Sequence, residues 1–203
     1  MHGRTEAPFR ADHVGSLLRP PALLAAREEH AAGTLDAAGL RAVEDAAIRD
    51  IVTLQEQVGL PSATDGEFRR TSWHMDFIYQ LGGISRTDRQ IEVKMRNASG
   101  EGAFTSAGMA VDSPVGLAHP IFADHFAFLA EQVGSAVPKL TIPSPSMVYA
   151  RGGSAVIDRT VYPDLEQFWT DLSAAYADEI TALHGLGCRY LQLDDTALAY
   201  LND

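Results

Sequence analysis

Carboxylates and hydroxyls in this chain recur directly after short β-favouring runs. Three segments carry them: His13-Val14-Gly15-Ser16, Asp65-Gly66-Glu67-Phe68-Arg69-Arg70 and Leu191-Gln192-Leu193-Asp194-Asp195. An acid at the end of a buried strand is costly to keep ionised unless a ligand or a partner uses it. Gly15 lets a ligand approach the backbone, and the Ser16 N–H and hydroxyl offer donors to a carboxylate. Glu67 is an acceptor suited to an α-amino group.

Each of these residues also has a purely structural reading. Gly15-Ser16 fits a βα turn with Ser16 capping the next helix. Glu67 fits an ion pair with Arg69 or Arg70. Asp194 and Asp195 project to opposite sides of a strand end, so one can face a site while the other pairs outward or caps a helix. Leu191 and Leu193 should anchor that strand in a core. Asp65, Trp73, His74 and Asp195 are candidate pocket-lining residues. Trp73 could stack on a flat heterocycle, and both Trp73 and His74 also fit core or lid positions. Cys188 reads as a small buried apolar residue rather than a nucleophile. His119 reads as a loop residue.

The elements that must position these groups follow from periodicity. Phe9 to Val14 reads as a strand. Pro20-Pro21 opens a helix running towards Ala32, broken at Gly33-Thr34. A longer helix follows over about residues 36–58, with Asp36 as N-cap and Gly59 at its end. Its apolar positions are Leu40, Val43, Ala47, Ile48, Ile51, Leu54 and Val58. Pro61 to Asp65 is the next strand. Arg89 to Met95 alternates like a hairpin strand, and 97–102 is turn-rich. Ala107 to Val111 and Val115 to Leu117 are further short strands. Ile121 to Val133 is a helix, and Lys139 to Ile142 a strand ended by Pro143-Ser144-Pro145-Ser146. Pro163 to Leu186 is an amphipathic helix with Leu165, Phe168, Trp169, Leu172, Tyr176, Ile180 and Leu183 on one face. Tyr190 to Leu193 is the last strand. Strands alternating with helices point to an α/β fold with a parallel sheet, and polar strand ends fit the active face of a (β/α) barrel. A doubly wound sheet is the rival, but neither a G-x-G-x-x-G nor a P-loop is present.

The 203 residues suffice for one domain, taken here as 1–203. A net charge of −11 disfavours nucleic acid and anionic membranes as partners. One cysteine permits no intrachain disulfide or multi-thiolate metal site and fits a reducing, cytoplasmic home. Met1 to Arg10 lack an apolar core, so no secretory leader is expected. No run is long and apolar enough to span a bilayer.

Together the three polar segments resemble the cobalamin-independent methionine synthase family, its catalytic C-terminal barrel and its short stand-alone relatives. The resemblance rests on His13-Val14-Gly15-Ser16-Leu17-Leu18-Arg19-Pro20, on Asp65 to Trp73, and on Leu191 to Leu198, in matching order and spacing. It implies a (β/α)8 TIM-type barrel and methyl transfer from a methylated folate, or a related donor, to the thiol of homocysteine held as a zinc thiolate. By the same resemblance, Val14, Gly15 and Ser16 match the loop that binds the amino acid carboxylate. Glu67 and Asp194 match the acids that bind its α-amino group. The family's zinc ligands and acid–base histidine match nothing here and are expected beyond Asp203. Pro145 stands where the family has a pterin-stacking Trp, and Tyr200 where it has a folate-binding Glu.

The chain is then expected to supply about five of the eight barrel strands, with a hairpin insertion around residues 85–118. It would be a fragment of a longer product, a chain completed by a second one, or a degenerate half, and the fragment is favoured. Alone, it would lack activity. Two other functions stay open: a barrel decarboxylase of the uroporphyrinogen type, with Arg69, Arg70 and Arg151 grouped on an acidic substrate, and a non-catalytic module completed by a partner.

Overall fold

The computed structural model describes residues 11–97, 100–150 and 152–197. The chain forms two compact units, each assembled from separated segments. The first takes Met1–Trp73, Phe122–Thr141 and His184–Gln192, the second His74–Ile121, Ile142–Leu183 and Leu193–Asp203.

In the first unit, Pro21 and its fixed φ start α1 (Pro21–Ala31). Asp36 accepts the Gly39 N–H at 2.7 Å and opens α2 (Ala37–Gln57). Gly59 lies in the left-handed region just past its end. The apolar face of α2 reaches the core only part-way: Ile48 and Val52 are buried, whereas Leu54 is 51% and Val58 66% exposed. Leu23, Ala47, Ile48, Val52, Phe68 and Leu129 form that core with Ala63. The last turn of α2 also holds the approach to a strand. Glu56 Oε1 accepts the N–H groups of Gly134, Ser135 and Ala136 at 2.8–2.9 Å. Those backbone bonds hold its carboxyl below the usual range.

Three strands form a mixed α/β fold's small sheet: β1 (Ser62–Ala63), β4 (Val137–Pro143) and β5 (Tyr190–Asp194), in the order β1-β4-β5. β1 and β4 are parallel, with Ser62 beside Val137 and Ala63 beside Pro138. α4 (Ala123–Gln132) precedes β4. Among the described residues the sheet has three strands rather than about five, and it does not close. The expected strand over 9–14 is absent where it is described. Residues 12–15 are irregular, and the carbonyls of residues 13–15 bond to side chains instead of a neighbouring ladder. Residues 9 and 10 lie outside the described residues. β5, at one edge of the sheet, is half-buried with Leu193 exposed, not the buried strand expected of Leu191 and Leu193.

The second unit contains α3 (Met75–Ile78), a hairpin, α5 (Ser146–Ala150), a 3₁₀ turn (Gly153–Val156) and α6 (Leu165–Gly185). The hairpin is longer than its sequence signals. β2 (Gly82–Asn97) and β3 (Gly100–Gly116) pair antiparallel from Gly82 with Gly116 to Asn97 with Gly100. The two short strands expected at 107–111 and 115–117 are one continuous strand, with Pro114 in the stretch between Val111 and Gly116 where the register against β2 shifts. Tyr162 fastens it, accepting the Val115 N–H and donating to Asp171, each at 2.7 Å.

α6 buries Phe168, Leu172, Ala175, Tyr176, Glu179 and Leu183. Ile180, expected on that face, is exposed, and Glu179 takes the inward place at 0% exposure. Its Oε2 accepts the Ile121 N–H at 2.8 Å, while Oε1 has no hydrogen-bond partner. Burial pushes its carboxyl up to about 7.

Two outcomes follow for stability. Ile48→Ala should lower the urea-unfolding free energy by about 2–5 kcal/mol and Leu54→Ala by under about 0.5 kcal/mol. A carboxyl raised on folding contributes stability that is complete below its ordinary value of 4.5 and is lost as pH rises through about 7. Urea midpoints should therefore fall over that window, and Glu179→Gln should flatten the fall by on the order of 2 kcal/mol.

Candidate functional site

Beyond β1 the chain turns sharply. Gly66 and Glu67 both adopt positive φ, at +66° and +57°. For Glu67 this is an uncommon, strained backbone, of the kind found where a side chain must be aimed. Asp65 steadies the turn, its Oδ1 accepting the Glu67 N–H at 2.8 Å. Three carbonyls of the loop are then gripped by arginines. Arg19 donates to the Glu67 and Arg70 carbonyls at 3.1 and 2.7 Å, and Arg27 to that of Phe68 at 2.6 Å.

The turn delivers the Glu67 carboxylate, at 2% exposure, to a polar cluster. Ser16 Oγ donates to its Oε2. Thr141 Oγ1 on β4 donates to Oε1 at 2.8 Å. The Arg70 guanidinium lies 3.6 Å from Oε1. Arg70 is itself buried, bonded to the Thr141 carbonyl at 2.7 Å and the Trp73 carbonyl at 3.4 Å, over the Phe122 ring at 4.3 Å. Gly15 completes the contact. An added Cβ there would stand on Glu67 Oε1 and 3.2 Å from Thr141 Oγ1.

Gly15, Ser16 and Glu67 are therefore brought together within the first unit. Val14 is 74% exposed and engages through its backbone, its carbonyl accepting from Gln192 at 2.7 Å. Ser16 does not cap a helix, since Pro20 precedes α1 and Ser16 is turned to Glu67. Of the two arginine partners expected for Glu67, Arg70 takes that place. Arg69 pairs with Glu44 and Asp45 over the Phe128 ring. Asp65 is buried, and its Oδ2 has no hydrogen-bond partner. Trp73 is half-buried.

His74 is buried in the second unit, where its carbonyl accepts the Phe77 and Ile78 N–H groups. Asp194 and Asp195 also belong there. Asp194 is half-buried at the end of β5, its carbonyl accepting the Ser144 N–H at 3.0 Å. Asp195 accepts from Ser146 Oγ at 2.7 Å, and Ser146 bonds Ser144 at the same distance. Cys188 is buried, and burial pushes its thiol up, as befits a packing residue.

Arg70 apart, the participants not singled out beforehand are Thr141, Arg19 and a second cluster. Lys139, buried on β4, donates to Asp12 at 2.7 Å and to the His13 carbonyl. Tyr190 and Ser62 each donate to Asp12 at 2.6 Å. Burial alone would raise the Asp12 carboxyl, but these donors carry it below its usual range. The bond to Asp12 pushes Tyr190 up to about 12. A signal was available: Lys139-Leu140-Thr141-Ile142 and Tyr190-Leu191-Gln192-Leu193 alternate polar and apolar, unlike the continuous apolar runs of a doubly covered parallel sheet.

Among the described residues, no group of three or more His, Cys, Asp or Glu gathers to hold a metal ion. No helix of the described residues is long and apolar enough to cross a membrane.

Comparison with known proteins adds a direction. No family model matches the chain. It is 42% identical over 192 residues to the uncharacterised protein YxjH of Bacillus subtilis, covering 95% of this chain and 49% of YxjH. It is 41% identical over 198 residues to the uncharacterised YxjG of the same organism, covering 97% and 50%. The chain thus spans about half the length of these curated relatives. Among solved structures, it resembles a protein from Listeria monocytogenes provisionally described as a vitamin-B12 independent methionine synthase. That match has 41% identity and a TM-score of 0.79, over 97% of this chain and 55% of that one. A B12-independent methionine synthase from Shewanella sp. W3-18-1, solved with selenomethionine, shares the fold at 21% identity and a TM-score of 0.63, over 83% and 46%.

The close approach at Gly15 is testable. Gly15→Ala should push the Glu67 carboxylate off Ser16 and Thr141 and cost about 1–3 kcal/mol in urea unfolding.

Proposed function

We propose that this chain supplies the amino-acid-binding part of a methyltransferase of the cobalamin-independent methionine synthase type, built as part of a (β/α) barrel. The observation that carries the reading is the buried Glu67 carboxylate, aimed by a strained turn at the Gly15-Ser16 backbone. An amino acid offers the complementary pair of charges. Its ammonium bonds Glu67, which keeps lone pairs beyond those used by Ser16 and Thr141. Its carboxylate meets the N–H groups of Val14 to Ser16. Asp194 enters as the second acid on the strength of its motif alone, and Asp65, Trp73, His74 and Asp195 as lining residues on the same footing.

In the reaction proposed, the sulfur of homocysteine attacks the methyl carbon of a methylated folate or related donor. The S–CH3 bond forms, the donor's bond to the methyl breaks, and the thiol proton leaves. The residues described here bind and orient the acceptor. They form no ligand set for zinc, so no step is assigned to the metal within this chain. Zinc, the methyl donor and the reacting groups are proposed for a protein of the relatives' full length, whether in one chain or two, in the cytoplasm.

The decarboxylase alternative loses its support. Arg69 and Arg70 diverge and are consumed by carboxylates and carbonyls, and Arg151 lies outside the described residues. A module completed by a partner chain would appear as a stable complex in size-exclusion chromatography with that chain.

Calorimetric titration with L-methionine, the methylated product, tests the reading. Glu67→Gln keeps the shape and removes the charge; it should lower the melting point, because Arg70 loses its buried counter-charge, and at a temperature where circular dichroism shows the variant folded it should weaken binding by about tenfold or more. Equal affinity in the two proteins would rule the role out.

A further inference from the structure

Residues 12–16 cross one face of the three-stranded sheet without joining it as a strand. Alternation puts Ser62 and Thr64, Lys139 and Thr141, Tyr190 and Gln192 on that face. Five of the six reach this segment, and Thr141 reaches Glu67. Ser62, Lys139 and Tyr190 bond Asp12, and Thr141 bonds Glu67. Lys139, Gln192 and Thr64 bond the carbonyls of His13, Val14 and Gly15 in turn. A trans peptide is planar, with its C=O and the following N–H on opposite sides. Fixing three successive carbonyls towards the sheet therefore turns the N–H groups of Val14, Gly15 and Ser16 away from it. Successive backbone N–H groups held in fixed directions make a natural anion receptor.

Lys139 is the keystone of this arrangement. It lies on the central strand, its side chain fully buried, and it bonds both the Asp12 carboxylate and a loop carbonyl. Its ammonium also sits 5.1 Å from the Tyr190 ring centre. We propose that Lys139 is a positioning residue for carboxylate recognition: by holding Asp12 and the His13 carbonyl it fixes the peptide planes whose N–H groups receive the acceptor's carboxylate. The role deepens the acceptor reading above and depends on it.

Lys139→Met keeps the length of the side chain and removes its charge and donors. In the full chain, amide exchange followed by mass spectrometry should become about tenfold faster over residues 11–18, with α2 peptides unchanged. L-Methionine should bind about tenfold more weakly, whereas the decarboxylated amine of methionine should lose nothing. Tyr190→Phe removes one hydroxyl from Asp12 and should move both readouts the same way by a smaller factor. It carries the test if Lys139→Met does not fold. Unchanged affinity for L-methionine overturns the proposal, and so does an equal loss for the amine, which marks a general structural role. If the wild-type chain binds neither compound, the acceptor reading itself fails and the positioning role falls with it.

Discussion

A carboxylate removed from water must find its replacement solvent inside the protein. The Glu67 side chain has that constraint, and much of the first unit is arranged around it. A hydroxyl comes from the N-terminal loop, another from the central strand, and a guanidinium from three residues further along. Arg70 is in turn a buried cation, and it is stabilised by Glu67, by two carbonyls and by the Phe122 ring. Deleting either member would leave the other charge buried and unpaired, a change of about 3–5 kcal/mol in comparable pairs. Thr141, which donates its hydroxyl to Glu67 and accepts from Arg70 at its carbonyl, ties this ion-paired loop to β4.

The arginines outside the ion pair serve the same end by another route. Arg19 and Arg27 spend their donors on main-chain carbonyls of residues 67–70. A loop with two left-handed residues in succession has a strong tendency to relax. Guanidinium groups, with several donors in a rigid fork, are suited to bridging carbonyls of such a turn. The basic residues of this acidic chain are thus directed inward at this point, where their charge is used to shape backbone.

Much of this was legible from the residues. The helices α1, α2, α4 and α6 follow the reading, with Asp36 and Gly59 at the expected ends, and two of the three polar segments lie at strand ends of the sheet, whereas 13–16 crosses its face. What was not legible has physical causes. Residues 12–15 have a strand-like composition, but the carbonyls of 13–15 are satisfied by side chains, which no local pattern announces. Leu54, Val58 and Ile180 sit on the right helical faces beyond the reach of the core. Glu179 occupies an inward position because a backbone N–H needed an acceptor there, which pattern reading counts against a buried site. From the sequence Lys139 reads only as the start of a strand, since a lone lysine in an apolar run gives no hint of the aspartate that neutralises it 127 positions away.

The grip of Glu56 on three consecutive amides has a consequence for how this protein tolerates change. It fixes where residues 134–136 begin their approach to β4, and β4 presents Lys139 and Thr141 on one side and Leu140 and Ile142 on the other. Gaining or losing a single residue between that clamp and the strand would rotate every side chain of β4 to the opposite side, setting leucine and isoleucine against Asp12 and Glu67. Point changes in this stretch are local events, but a change of length by one is global, so natural variation there should run through substitution and leave the spacing from Glu56's contacts to Thr141 untouched.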